Sequence, residues 1–133
     1  RDSAQYGSMT LGELNQYILD YFIAKEIEIN FVQSNHEGVI VEYLQNSKKD
    51  YFAVVLNAGA FTHYSYAIRD AIECASLPVV EVHLSNIYQR EPFRKVSVIE
   101  EVCCAKFYGD KEFSYINAIN LLIEMFKEKN SLW

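Results

Sequence analysis

The sequence predicts an α/β fold built on a parallel sheet. Two short apolar runs, residues 51–56 and 79–84, are typical of strands that are buried on both faces. Stretches with apolar side chains at helical spacing alternate with these runs. Because crossovers between parallel strands are right-handed, we expect helices on both faces of the sheet, as in a doubly wound fold.

The N-terminal third predicts a helix, a strand and a second helix. Apolar residues recur at helical spacing over residues 11–22, and Thr10 with Glu13 has the pattern of a capping box. Residues 27–32 alternate between apolar and polar and then become apolar, which favours a strand. Residues 36–45 predict a short helix.

The rest of the chain predicts three strands and two helices. The strands cover 51–56, 79–84 and 102–107, and the helices cover 62–75 and 113–126. Thr62 is in position to cap the first of these helices. Together with residues 27–32 this gives four strands, which is few for a doubly wound sheet. We therefore expect a first strand to be missing before Arg1.

Composition narrows the function. The chain has 133 residues, half of them hydrophobic, which predicts one domain over residues 1–133 that is incomplete at its N-terminus. A net charge of -6 argues against a nucleic-acid partner, and no apolar run approaches the roughly 20 residues that span a bilayer. Three cysteines without a Cys-x-x-Cys pair argue against zinc and favour a reduced, cytoplasmic setting.

Polar side chains cluster where the apolar runs end. Asn57 follows one run, Ser85 follows another, and residues 33–38 form a third polar cluster. In open α/β sheets, ligands bind outside the carboxyl ends of the strands. The sequence therefore predicts a small-molecule site at this edge.

Glu81 and His83 are two residues apart on a predicted strand, so their side chains share a face. A carboxylate beside an imidazole fixes its tautomer and raises its basicity, which is typical of a general acid–base pair. An ordinary ion pair at a strand end has the same spacing.

The other candidates carry weaker signals. His63 lies at the expected start of a helix, where anions bind, and Arg90 and Arg94 could bind ligand oxygens. Packing and surface salt bridges explain the same residues equally well. Arg1 and Tyr6 carry almost no signal by spacing alone.

Taken together, these residues resemble the type II 3-dehydroquinate dehydratases, or type II dehydroquinases. The similarity extends from Arg1 to about Ser97 and lies in several motifs in the family's order. The matching stretches are residues 33–38, 57–63, 67–71, 78–86 and 90–94.

The resemblance implies a flavodoxin-like, three-layer sandwich and a homododecamer made of four trimers. It also implies the reaction, in which 3-dehydroquinate loses water to give 3-dehydroshikimate in the shikimate pathway to aromatic amino acids. That reaction is an anti elimination through an enolate, and the family needs no metal or organic cofactor.

The resemblance also assigns roles. Arg1 would favour the tyrosinate form of Tyr6, which would remove the proton from C2 of the substrate. Asn57 would hold a water that stabilises the enolate. His83, oriented by Glu81, would protonate the departing C1 hydroxyl.

The remaining matches are binding residues. The backbone N–H groups of Leu84 and Ser85 would hold the substrate carboxylate, and His63 with Arg94 would bind ring hydroxyls. Asp70 would reach the site of a neighbouring subunit.

Two departures from the family leave alternatives open. The family's first strand and its Asn-bearing loop are absent before Arg1, and residues 102–109 stand where a glycine-rich strand is usual. The missing Asn-bearing loop favours one alternative, a catalytically inactive assembly or ligand-binding module, whereas residues 102–109 are expected to alter packing or subunit contacts and not the chemistry. The others are a flavodoxin-like cofactor or phosphoacceptor domain, and dehydration through a Schiff base on Lys106.

Overall fold

The computed structural model describes residues 7–131, with side chains to residue 130, so Arg1 and Tyr6 lie outside the described residues. The described residues form four α-helices and three strands. In chain order they are α1 (Leu11–Tyr21), α2 (Glu37–Asn46), β1 (Val54–Leu56), α3 (Tyr66–Ala75), β2 (Val79–His83), β3 (Ala105–Tyr108) and α4 (Phe113–Ser131).

The sheet is parallel and has the order β1-β2-β3, which confirms the predicted fold class. All five residues of the central strand β2 are buried. Its residue Glu81 is level with Leu56 on one side and Lys106 on the other, and His83 is level with Tyr108.

Helices cover both faces of the sheet, giving three layers. One face packs against α2 and α3 through a core that includes Leu44, Ile68 and Val79. On the other face, Val80 and Val82 pack against α4. Because side chains alternate along a strand, Glu81 and His83 lie on the same face as Val79.

The prediction of a strand over residues 27–32 is wrong. These residues belong to neither a strand nor a helix, and within residues 7–131 no backbone hydrogen bond joins them to a neighbouring strand. Ile27 and Ile29 instead pack against Ile18 and Ile116. The alternating pattern reflects this packing, whereas a strand also requires a hydrogen-bonding partner.

The prediction that Thr62 caps the helix is also wrong. Residues Gly59–His63 form a 3-10 turn, and α3 begins afterwards with Ser65 as its N-cap. Thr62 is fully buried, and its hydroxyl has no hydrogen-bond partner within the described residues. Its carbonyl accepts a bond from Val98 N, which holds this turn against the core instead of starting the helix.

The other predicted helices and strands are present, but their first and last residues differ from the predicted ones. The capping box of Thr10 and Glu13 is present at the start of α1. The last strand begins at Ala105 because a 3-10 turn, Glu100–Val102, occupies the start of the predicted run. None of the helices in the described part of the chain is long and apolar enough to cross a bilayer.

Ser65→Ala is expected to lower the free energy of unfolding by about 1–2 kcal/mol. The Ser65 hydroxyl accepts a bond from Ile68 N at 3.0 Å and donates one to Glu37 Oε2 at 2.5 Å, so it joins α3 to α2. Urea unfolding measures the change, with the exposed Ser8→Ala as the matched control. Equal stability of the two variants would contradict the prediction.

Candidate active site

Glu81 and His83 form a buried pair at the carboxyl end of β2. Glu81 Oε2 lies 2.5 Å from His83 Nε2, and the two side chains are 0% and 6% exposed. The predicted shared face is therefore confirmed. With Nε2 held by the carboxylate, Nδ1 is the ring nitrogen that remains to exchange a proton with a ligand.

The second oxygen of Glu81 is also bound. Ser97 Oγ donates to Glu81 Oε1 at 3.1 Å, so both carboxylate oxygens have a partner. Nearby, burial and the charge of Glu81 raise the pKa of the Cys103 thiol to about 12. That thiol therefore stays protonated and is a poor nucleophile.

Lys106 lies beside Glu81 on β3, but its ammonium group is bonded to other side chains. Its ammonium group contacts Glu100 Oε1 at 2.6 Å, donates to Tyr88 OH, and lies 4.8 Å from the centre of the Tyr88 ring. Burial by itself would lower the pKa of Lys106, but the bonds to Glu100 and Tyr88 outweigh it and raise that pKa. A Schiff base requires the neutral amine, so this environment is unfavourable for one.

Leu84 and Ser85 follow β2 directly and are both buried. Arg90 Nη1 donates to Ser85 Oγ at 3.4 Å. The carbonyl of Leu84 accepts a bond from Lys111 N at 3.0 Å, which joins this loop to the turn after β3. Gly7 lies beside that same turn, since a side chain at Gly7 would meet Lys111 Cδ at 3.9 Å.

Asn57 follows β1, so it lies at the same edge of the sheet as His83. Its Nδ2 donates to Tyr115 OH at 3.0 Å, and its Oδ1 accepts from Gly59 N at 3.1 Å. The two bonds set the orientation of the amide. One N–H and one lone pair of the amide remain for a ligand or water.

His63 and Arg94 meet at Phe93. His63 Nδ1 lies 2.7 Å from the carbonyl oxygen of Val96 and therefore carries a proton, and its ring packs edge-on against Phe93 at 5.6 Å. The Arg94 guanidinium lies 4.6 Å from the centre of the same ring. Arg94 Nε also donates to Glu91 at 2.8 Å, which lowers the pKa of that carboxyl.

The structure does not bring every predicted residue together. Asp70 is exposed on α3 and makes no ion pair within the described residues. Arg1 and Tyr6 lie outside the described residues. No group of three or more His, Cys, Asp or Glu side chains in the described part of the chain could hold a metal ion.

Sequence reasoning assigned no role to Ser97, Tyr115 or Phe93. Ser97 is 16 residues from Glu81, and Tyr115 is 58 residues from Asn57. Such contacts carry no local periodicity, so a single sequence offers no signal for them. Phe93 lies within one of the matching stretches, residues 90–94, but an aromatic side chain there is equally well explained by packing.

At the carboxyl edge of the sheet, this arrangement can donate or accept a proton through the His83 imidazole. His83 supplies an imidazole whose far nitrogen is fixed by a carboxylate, and Asn57 supplies an oriented amide. His63 and Arg94 supply donors for ligand oxygens. The chemistry that fits is general acid–base catalysis on an oxygen-rich small molecule.

Sequence similarity to known proteins covers nearly the whole chain. The family model "Dehydroquinase class II" matches residues 1–123. The 3-dehydroquinate dehydratase of Clostridium botulinum is 42% identical over 99% of this chain and 87% of its own length. That of Bacillus pumilus is 46% identical over 92% of this chain and 84% of its own length.

Solved structures agree with this result. The type II dehydroquinase of Butyrivibrio crossotus superposes with a TM-score of 0.88 at 41% identity, over 92% of this chain and 86% of its own. The type II dehydroquinase of Propionibacterium acnes gives a TM-score of 0.87 at 30% identity, over 92% of this chain and 84% of its own. By both sequence and fold, the chain belongs to the class II dehydroquinases.

Proposed function

We propose that this protein is a 3-dehydroquinate dehydratase, a lyase that converts 3-dehydroquinate to 3-dehydroshikimate in the shikimate pathway. The observation that carries the proposal is the buried Glu81–His83 pair at the carboxyl edge of the sheet, in a chain that belongs to this family. The pair has the groups that dehydration requires, because a hydroxyl leaves readily only when it is protonated.

The first step is removal of a proton from C2, next to the ketone. Tyr6 is the proposed base, and the positive charge of Arg1 favours its tyrosinate form. Gly7, the residue after Tyr6 in the sequence, lies beside the turn after β3. That turn is bonded to Leu84 at the site edge.

The second step is loss of the C1 hydroxyl from the enolate. A water held by the oriented amide of Asn57 stabilises the enolate oxygen. His83 donates a proton to the hydroxyl on the opposite face from Tyr6, so the elimination is anti. Glu81 stabilises the charged imidazole before this transfer, at a distance of 2.5 Å.

Binding of the substrate uses the surrounding donors. The N–H groups of Leu84 and Ser85 hold the carboxylate, and a buried position strengthens these bonds. His63 presents Nε2 to a ring hydroxyl, because Nδ1 faces Val96. Arg94 presents its terminal nitrogens, because Nε donates to Glu91.

The proposal extends to the assembly and setting of the protein. Residues 1–133 act as one domain within a homododecamer of four trimers in the cytoplasm, with no nucleic-acid or membrane partner. Asp70 is exposed, so in the proposed assembly its carboxylate is available for a contact with a neighbouring subunit.

Asp70→Ala is expected to lower the specific activity at least about tenfold, because a charged contact across a subunit boundary is lost. Turnover and sedimentation are measured together, with the exposed Asp50→Ala as the matched control. An unchanged rate together with an unchanged oligomer size would refute the role of Asp70.

The experiment that tests the function identifies the product. Protein and 3-dehydroquinate are mixed with a chelator, and mass spectrometry is used to detect the loss of one water. Borohydride treatment during turnover then tests the lysine alternative. A dehydrated product without a trapped adduct supports the proposal, whereas no product, or substrate fixed to Lys106, contradicts it.

A further inference from the structure

We propose that Ser97 is a positioning residue for the acid of this site, acting on His83 through Glu81. This inference rests on the proposed function. Three groups are connected in series, from Ser97 Oγ to Glu81 Oε1 at 3.1 Å and from Glu81 Oε2 to His83 Nε2 at 2.5 Å.

The burial of Glu81 makes the serine important. The carboxylate is 0% exposed, so water cannot replace a lost partner without a change in packing. A buried charged oxygen that loses its hydrogen bond retains the full cost of desolvation. Among the described residues, the donors to Glu81 are His83 on one oxygen and Ser97 on the other.

The serine is also held in place on both sides. The carbonyl of Val96 accepts from His63, and Val98 N donates to Thr62 O at 2.9 Å. Arg69 Nη1 donates to the carbonyl of Val98 at 2.9 Å. These bonds hold residues 96–98 between α3 and the sheet, and they orient the Ser97 hydroxyl toward Glu81.

The consequence for the reaction follows from charge. The Ser97 hydroxyl stabilises the ionised carboxylate, which reduces the tendency of Glu81 to take the proton from His83. Without this donor the pair holds its proton more tightly and becomes a weaker acid. We expect kcat to fall and its alkaline limb to move to higher pH, while substrate binding changes little.

A Ser97 variant leaves the other ionisable groups near Glu81 and His83 unchanged. On β3, Lys106 is level with Glu81 and Tyr108 is level with His83. Cys103 also senses the charge of Glu81. The strand on the other side contributes Leu56, which carries no charge. None of these groups bonds to Ser97 in the described structure, so a Ser97 variant changes only one donor.

The test compares Ser97→Ala, Ser97→Cys and Ser97→Thr with the wild type. We expect Ser97→Ala to lower kcat by roughly tenfold to a hundredfold with KM within about twofold, and to move the alkaline limb by about half a unit or more. Ser97→Thr keeps the hydroxyl and should recover most of the rate. Ser97→Cys keeps a side chain of similar shape but has only a weak S–H donor. Its kcat should therefore lie between those of Ser97→Ala and Ser97→Thr.

The matched control is Ser47→Ala. Ser47 is buried and donates its hydroxyl to the carbonyl of Leu44 at 2.7 Å, at the end of α2. Ser47→Ala also removes a serine hydroxyl, but one that lies outside the site. Its kcat per folded protein and the pH profile of kcat should therefore stay as in the wild type. If Ser97→Ala does not fold, Ser97→Cys carries the comparison.

A second readout does not depend on turnover. The chain has three histidines, so the ring nitrogens of His83 can be assigned by ¹⁵N NMR with a His36→Ala variant and a His63→Ala variant as references. Loss of the Ser97 donor should shift the His83 ring-nitrogen signals. Wild-type signals and a wild-type pH profile in Ser97→Cys or Ser97→Ala would overturn the inference.

The two proposals fail differently. A wild-type protein that does not convert 3-dehydroquinate contradicts the proposed function, even if the His83 signals respond to Ser97. An active wild type whose His83 signals and kcat ignore Ser97 contradicts only the positioning role.

Discussion

Tyr6→Phe is expected to abolish turnover while leaving the binding of a substrate analogue largely intact. The change removes one hydroxyl, which the proposal assigns as the base for the C2 proton, and keeps the aromatic ring. Positioned general bases contribute about 10² to 10⁴-fold, so the loss of kcat should be at least about a hundredfold. Steady-state kinetics and calorimetric titration with an analogue measure the two quantities separately.

The matched control for Tyr6→Phe is Tyr66→Phe. Tyr66 is 65% exposed at the start of α3, and its loss of a hydroxyl should leave kcat as in the wild type. The role of Tyr6 as base is contradicted if Tyr6→Phe weakens analogue binding as much as it lowers turnover, since it would then act as a binding group.

His83→Ala is the second change with a large expected effect. The C1 hydroxyl would leave without a proton donor, so kcat should fall by about 10² to 10⁴-fold. The variant also leaves the Glu81 carboxylate, which is fully buried, with Ser97 as its remaining partner in the described structure. We therefore expect a loss of stability as well as activity.

The two effects can be separated. Urea unfolding gives the free energy of unfolding, and kcat is then measured well below the transition. His83→Gln keeps a polar side chain beside Glu81 and should restore more stability than activity. His36→Ala is the matched control, because His36 is exposed and makes no side-chain capping bond. A near-normal kcat in His83→Ala would remove His83 as the acid.

Local patterns predicted much of the fold. The capping box follows from the spacing of Thr10 and Glu13. The closing helix and the central strand β2 follow from their apolar residues, because both elements bury them in the core. The error over residues 27–32 has a physical cause. Alternation reports which side chains are buried, whereas a strand also depends on a partner elsewhere in the chain.

The contacts of the site residues also divide into those that a local pattern predicts and those that it does not. The contact between Glu81 and His83 follows from the period of a strand, since residues two apart share a face. The contacts of Ser97 with Glu81 and of Tyr115 with Asn57 join distant parts of the chain, so only the folded structure reveals them. The capping prediction for Thr62 is wrong for a related reason, because Thr62 is buried and its carbonyl is bonded to Val98, which is distant in the sequence.

The most direct test of the central claim is the rate at which the protein forms a conjugated enone acid from 3-dehydroquinate, followed by ultraviolet absorbance. We expect rapid growth of this absorbance with wild-type protein and almost none with Tyr6→Phe or His83→Ala at the same concentration. No growth with a wild-type sample shown to be folded and dodecameric would contradict it, and would favour an inactive member of the family.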